Sequence, residues 1–164
     1  MPAARGATAP GRVRVSNVAS ENVELVRSIL AASARGDYSP VYSGETIDWA
    51  HPEIEFVIAD GPHPGSWKGV AGMAEAMRDF LSAWEEYRVE AEEFRELDRE
   101  RVLVFIRRDG RGKTSGLELG QVHAKGANLF HIRDGLVTRL VAYWHRERAL
   151  ADLGLPSETG SGLQ

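Results

Sequence analysis

The stretch Ala127–Leu155, ANLFHIRDGLVTRLVAYWHRERALADLGL, decides how this chain folds. Apolar and polar residues alternate with period two on both sides of Asp134-Gly135, and Asp-Gly is among the strongest short-range signals for a β-hairpin. The second strand runs into the aromatic pair Tyr143-Trp144, after which Ala149, Leu150 and Leu153 recur at helical spacing until Gly154 ends the run. The reading is strand, turn, strand, short terminal helix. A three-residue loop, Arg133–Gly135, is the expected closure; it pairs Ile132 with Leu136 and Asn128 with Leu140, and puts Asn128 and Phe130 on one face with Ala142 and Trp144. A four-residue loop would pair Ile132 with Val137 and Leu129 with Leu140. The other face carries Arg139, Val141 and Tyr143, a mixed surface of the kind that a second copy covers, so a homodimer is expected.

Working back from the hairpin, residues 1–19 are rich in Ala, Gly, Pro and Arg without periodicity and read as a flexible arm; residues 156–164 read as a flexible tail. The domain between them is 20–155. Ser20 is placed to cap a first helix with Glu21 and Glu24 in its opening turn, a buried stripe of Val23, Val26, Ile29 and Leu30, and a stop at Gly36. A helical turn near Pro40–Gly44 precedes an extended segment, Ile47–Ala59. The loop Asp60–Gly69, DGPHPGSWKG, holds three Gly and two Pro and reads as punctuation. Val70, Met73, Ala74, Met77, Phe80, Leu81 and Trp84 then predict a long amphipathic helix over 70–86. An acidic edge-like segment reaches Leu97, Asp98–Glu100 turns, and Val102–Ile106 is a continuous apolar run suited to a strand covered on both faces. A turn at Asp109–Gly112 leads to a strand at Ser115–His123, with a bulge expected at Lys125-Gly126. The order gives an α+β fold, with helices on one face of a curved, mostly antiparallel sheet.

Composition narrows the function. A chain of 164 residues, 43% hydrophobic and 27% charged, makes one domain with room for an internal cavity. The net charge of -4 comes from interspersed signs, with no basic stripe, so nucleic acid is not an expected partner. There is no Cys, which removes disulfides, thiolate metal sites and cysteine nucleophiles. No apolar run reaches the ~18 residues of a membrane span, and the first residues lack the apolar core of a signal peptide; the expectation is a cytoplasmic protein without a membrane partner. His51, His63, His123, His131 and His145 share no i, i+4 helix face and have no acids spaced to complete a set, so no metal is expected. GRGKTSG lacks phosphate-loop spacing and lies between strands, and neither a nucleophile elbow nor a dinucleotide fingerprint is present. No cofactor is expected.

The order of elements, the G-S-W-K-G opening of the long helix at Gly65–Gly69, the R-D-G-L-V-T-R-L hairpin at Arg133–Leu140 and the closing A-L-x-x-L-G-L at Ala149–Leu155 resemble the SnoaL-like branch of the nuclear-transport-factor-2-like superfamily. The match covers roughly 21–155. It implies a cone-shaped curved antiparallel sheet wrapped around a long helix, enclosing a cavity for a small hydrophobic molecule. The fold hosts both enzymes and binders, so it does not imply one reaction. In the polyketide cyclases and epoxide hydrolases of this fold a catalytic Asp lies seven residues after the turn Gly, where this chain has Ala142. The epoxide hydrolases also need an Arg-x-Asp pair inside the cone, and Arg107 with Asp109 lies at the mouth of a turn instead. The ketosteroid isomerases are more similar here, sharing Ala142-Tyr143-Trp144. Their general base falls on Asp60, their second acid near Asn128, and their helix-one Tyr near Ile29, where it is missing.

The candidate catalytic residues are thus Asp60 and Asn128. Asp60 against apolar walls would act as a proton shuttle, or else an Asp before Gly-Pro caps its own turn. Asn128 is a neutral donor at every pH and would hold a carbonyl oxygen, or else its amide is satisfied by neighbouring backbone. Trp49, Phe130, Leu140, Ala142, Trp144 and His123 are the expected pocket lining, with Trp84 in the core. Two functions follow: a cofactor-free isomerase or cyclase acting on a carbonyl compound, and a non-catalytic ligand-binding or dimerisation module of the same fold.

Overall fold

The computed structural model describes residues 21–38, 48–61, 63–112 and 121–158, with the side chains of 121–123 outside the description. The basic arm, Ser20, the turn at Pro40–Gly44, most of the Ser115–His123 strand and the last residues of the tail lie outside these limits. Helix α1 spans 21–34 and turns at Gly36. It is followed by β1 (Ala50–Ile58), β2 (Gly65–Lys68), α2 (Gly69–Leu81), β3 (Trp84–Glu96), β4 (Arg101–Gly112), β5 (Gln121–Arg133), β6 (Leu136–Tyr143) and α3 (Arg146–Asp152). The six strands form one curved, unclosed sheet in the order β2-β1-β6-β5-β4-β3. All neighbours are antiparallel except β1 and β6, which run parallel.

The strip Val102–Ile106 in β4 explains the two-layered core. Each of its five residues is at most 1% exposed, because successive side chains point to opposite faces and both faces are covered. Val102, Val104 and Ile106 pack inward with Val26 and Leu30 of α1 and Met73 of α2. Leu103 and Phe105 point outward into a second core with Leu129, Val141, Tyr143 and, from α3, Ala149 and Leu150. At about 25 cal/mol per Å² of apolar surface, these two layers are the main favourable term in folding. Bulges in β3, at Trp84/Glu86 and Ala91/Glu93, add the bend that turns a flat sheet into a cone wall.

Several expectations are corrected. The long helix ends at Leu81, and Trp84 opens β3, where it pairs with Gly112. Met73, Met77 and Phe80 keep the expected stripe; the fourth apolar position belongs to a strand because β4 offers a long partner edge. Gly65–Lys68, expected to be loop, forms a short strand antiparallel to β1, pairing Trp67 with Phe56. The turn expected at Asp109–Gly112 is the end of β4. The β4–β5 ladder passes Lys125 and Gly126 without a shift, so no bulge lies there. The hairpin is closed by neither expected loop. Arg133 pairs with Leu136 across the two residues Asp134 (φ 54°) and Gly135 (φ 76°), both in the left-handed region as a type I′ turn requires. A shift between His131 and Ile132 then leaves Thr138 as the extra residue and brings Phe130 opposite Leu140 and Asn128 opposite Ala142. Asn128 and Phe130 therefore do share a face with Ala142, by a different register. Val141 and Tyr143 are 3% and 5% exposed under α3, so this part of the outer face of β6 is covered from within the chain, while Arg139 stays half-exposed. Among the described residues no helix is long and apolar enough to cross a membrane.

Candidate functional site

The concave face of the sheet, closed by α1 and α2, surrounds a cavity. Its volume is about 100 Å³. Ile29, Leu30, Met73, Met77 and Phe80 come from the helices; Phe56, Ile58, Val89, Phe130, Leu140 and Ala142 come from the strands. The lining is mostly apolar, with Ser33 and Tyr38 adding hydroxyl groups.

One end of the chamber is different. Arg108 lies on the inner face of β4, in step with Val102, Val104 and Ile106, and is 3% exposed. Its Nε donates to Tyr87 Oη at 2.8 Å, Nη1 donates to the Tyr143 carbonyl at 2.7 Å, and Nη2 reaches Asn128 Oδ1 at 3.4 Å. The guanidinium also sits over the Trp144 ring, 5.0 Å from its centre. Phe80 braces this end, edge-on to Tyr87 at 4.9 Å and to Trp144 at 6.0 Å. Burial, its largest cause, pushes the Tyr87 phenol above its ordinary range despite the neighbouring Arg108 charge, so the hydroxyl keeps its proton at neutral pH. Tyr38 is pushed up for the same reason and donates to the Tyr87 carbonyl at 3.1 Å.

The structure sorts the residues singled out in the sequence. Trp49, Asn128, Phe130, Leu140, Ala142 and Trp144 all line the cavity, as does Ile29. The side chain of His123 lies outside the description. Asp60 is not among the lining residues. Its Oδ1 accepts the Trp144 backbone N–H at 2.6 Å and its Oδ2 lies 2.8 Å from His145 Nδ1. The carboxylate thus fastens the end of β1 to the β6–α3 junction, and caps the chain across space rather than its own turn. His145 is an exposed partner and Asp60 a mostly buried one. Arg107 and Asp109 pair at 3.0 Å on the opposite, solvent-facing side of β4, together with Glu90. No group of three or more His, Asp or Glu able to hold a metal is found among the described residues.

Arg108 and Tyr87 were not singled out in the sequence. The signal for Arg108 is its parity with the inward residues of β4, hidden because the strand was expected to end before it. Tyr87 was hidden by reading Trp84 as helical.

A six-stranded conical sheet around a helix-lidded apolar chamber defines the nuclear-transport-factor-2-like class of folds. Within it, the model of the SnoaL-like domain family matches residues 26–140, and the chain belongs to that family. Comparison with curated protein sequences finds no significant match. Among solved structures, the chain is similar to TerC co-crystallised with polyporic acid (24% identity, TM-score 0.60, covering 82% of this chain and 97% of TerC). It is also similar to a protein of ketosteroid isomerase-like fold from Catenulispora acidiphila DSM 44928, in complex with trimethylamine (17%, TM-score 0.61, 81% and 94%). A third, from Jannaschia sp. CCS1 and assigned as a SnoaL-like polyketide cyclase, shares 15% identity (TM-score 0.63, 84% and 94%). At these identities the likeness is one of fold.

Proposed function

We propose that the cone cavity receives a small, flat, largely apolar molecule bearing a carbonyl oxygen, and that Arg108, Tyr87 and Asn128 hold that oxygen. The observation that carries this reading is the gathering of three hydrogen-bonding side chains, Arg108, Tyr87 and Asn128, on a wall that is otherwise apolar apart from Ser33 and Tyr38. Apolar burial supplies affinity along the body of the ligand, and the few polar groups fix its orientation. Donors already in place in a water-poor site also favour negative charge that develops on the oxygen when a neighbouring carbon loses a proton, which is the half-reaction of a cofactor-free isomerase or cyclase. The other half needs a base. The described lining residues include no carboxylate and no histidine. Binding and polarisation are therefore the part of the function best supported by the geometry.

The catalytic reading is favoured by one specific observation: Asp60 is held against the backbone of Trp144, whose ring lines the cavity. Release of the Asp60–His145 contact would free one carboxylate oxygen to shuttle a proton. Both readings are tested with 2-acetylnaphthalene. Binding predicts saturable quenching of tryptophan fluorescence, since Trp49 and Trp144 face the cavity; no saturation would count against it. Turnover predicts that the protein in D2O accelerates exchange of the ketone's methyl protons, seen by NMR, and that Asp60→Asn abolishes the acceleration while the ketone still binds. Saturable binding without accelerated exchange would leave the non-catalytic module.

A further inference from the structure

Among the described residues two arginines are buried, and they are treated differently. Arg146, at the start of α3, donates to the carbonyls of Gly126 and Ile106 at 3.1 and 3.0 Å and faces a carboxylate, Glu92, at 2.9 Å. Glu92 is correspondingly held below the usual carboxylate range, chiefly by that hydrogen bond. Its charge is balanced in place. Arg108 is buried more deeply, at 3% against 7%, and every partner it has among the described residues is neutral: a phenol, a backbone carbonyl and an amide. The acids beside it on β3 and β4, Glu90, Glu92 and Asp109, gather around Arg107 on the other face of β4.

A guanidinium stays protonated at any pH a protein meets, so Arg108 cannot relieve its burial by losing a proton as a lysine would. A buried cation without an anion is unfavourable, and the imbalance is removed by whatever anion can reach it. Arg108 lines the cavity, so the route for such an anion is the cavity itself. Its neighbours have donors to add. Tyr87 Oη accepts from Arg108 Nε, and no acceptor for its own proton is found among the described residues. Asn128 presents its oxygen to Arg108, which leaves its NH2 group to donate elsewhere. Each of these groups lines the same end of the chamber.

We propose that this end is an anion site, and that the ligand carries an ionised oxygen, a carboxylate or an enolate, on a flat apolar body, with the charged oxygen on Arg108 and the body between Trp144, Phe130 and the helix residues. This rests on the reading of the cavity as a small-molecule pocket and narrows its ligand to acids. The test uses matched pairs at pH 8 that differ in charge and little in shape: 2-naphthoate with 2-naphthamide, and biphenyl-4-carboxylate with its amide. Binding is followed by tryptophan fluorescence and by calorimetry on the full chain. Each acid is expected to bind about tenfold more tightly than its amide, the margin between a charge-assisted and a neutral hydrogen bond. Arg108→Gln, which keeps a donor and removes the charge, is expected to weaken both ligands but the acid about tenfold more than its amide, erasing that preference. The preference in the unaltered protein is decisive even if the variant fails to fold. Amides binding as well as the acids would overturn the anion site, meaning that Arg108 is already neutralised within the chain, while leaving the pocket intact. Binding of neither would overturn both.

Discussion

Gly126 shows what a single residue contributes to the site. A Cβ built there would lie 2.2 Å from Arg108 Nη1 and 2.3 Å from the Tyr143 carbonyl, closer than real contacts allow. The missing side chain is the space through which the guanidinium reaches its backbone partner. Gly126→Ala is expected to cost about 1–3 kcal/mol as an overpacking change, lowering the melting temperature by roughly 2–4 °C for each kcal/mol. It should also weaken binding of any ligand held by Arg108. An unchanged melting temperature would show that the carbonyl and the guanidinium move aside freely. Asp60 is the other residue whose role is local and definite. Asp60→Ala leaves the Trp144 N–H without its acceptor and is expected to destabilise by about 1–3 kcal/mol. Asp60→Asn, whose amide oxygen still accepts that bond, is expected to cost less. Denaturant unfolding of the two variants checks the order; equal losses would mean that the His145 contact, and not the backbone bond, carries the effect.

Among the elements, the β5–β6 hairpin is where sequence and structure meet most closely. Its existence, its turn residues and the shared face of Asn128 and Ala142 follow from period-two alternation around Asp-Gly. The Thr138 bulge does not, because no residue type marks it and either register keeps the apolar face inward near the turn. Gly135 has open space around it and φ 76°, so Gly135→Ala is penalised by backbone strain alone, about 1–2 kcal/mol. A smaller loss in chemical denaturation would indicate that the turn relaxes. Near the end of β5, His131 lies between Arg101 of β4 and Arg139 of β6. Its Nε2 is buried without a hydrogen-bond partner, and burial, then the two arginines, hold its pKa below the ordinary 6.5. The native state thus keeps His131 neutral where the unfolded chain would take up a proton. Its contribution is complete above pH 6.5 and is lost as pH falls below that value towards the depressed folded pKa. His131→Leu should flatten stability against pH in that window, as read by urea unfolding across the range. An unchanged slope would mean that another group sets it.

At the scale of the whole molecule, the α+β order, the inward stripe Met73, Met77 and Phe80, and the two-sided burial of Val102–Ile106 were legible because burial imposes a period on the sequence. The polar end of the cavity was not. Tyr87 and Arg108 come from two strands whose limits depend on long-range pairing, and a single arginine beside Arg107 gives no periodic sign of which one turns inward. Asp60 was legible as a residue of interest but not in its role, since its partners lie 84 and 85 positions away. The result is one cone with two cores, an outer one pinned by the paired Arg146 and an inner one that ends in Arg108, whose partners among the described residues are all neutral. A crystal structure of the protein soaked with 2-naphthoate tests this account most directly. The account predicts the carboxylate within hydrogen-bond distance of the Arg108 guanidinium, with the rings against Trp144 and Phe130. Naphthoate found only outside the cone, or with its carboxylate turned to the mouth and its rings against Arg108, would contradict it.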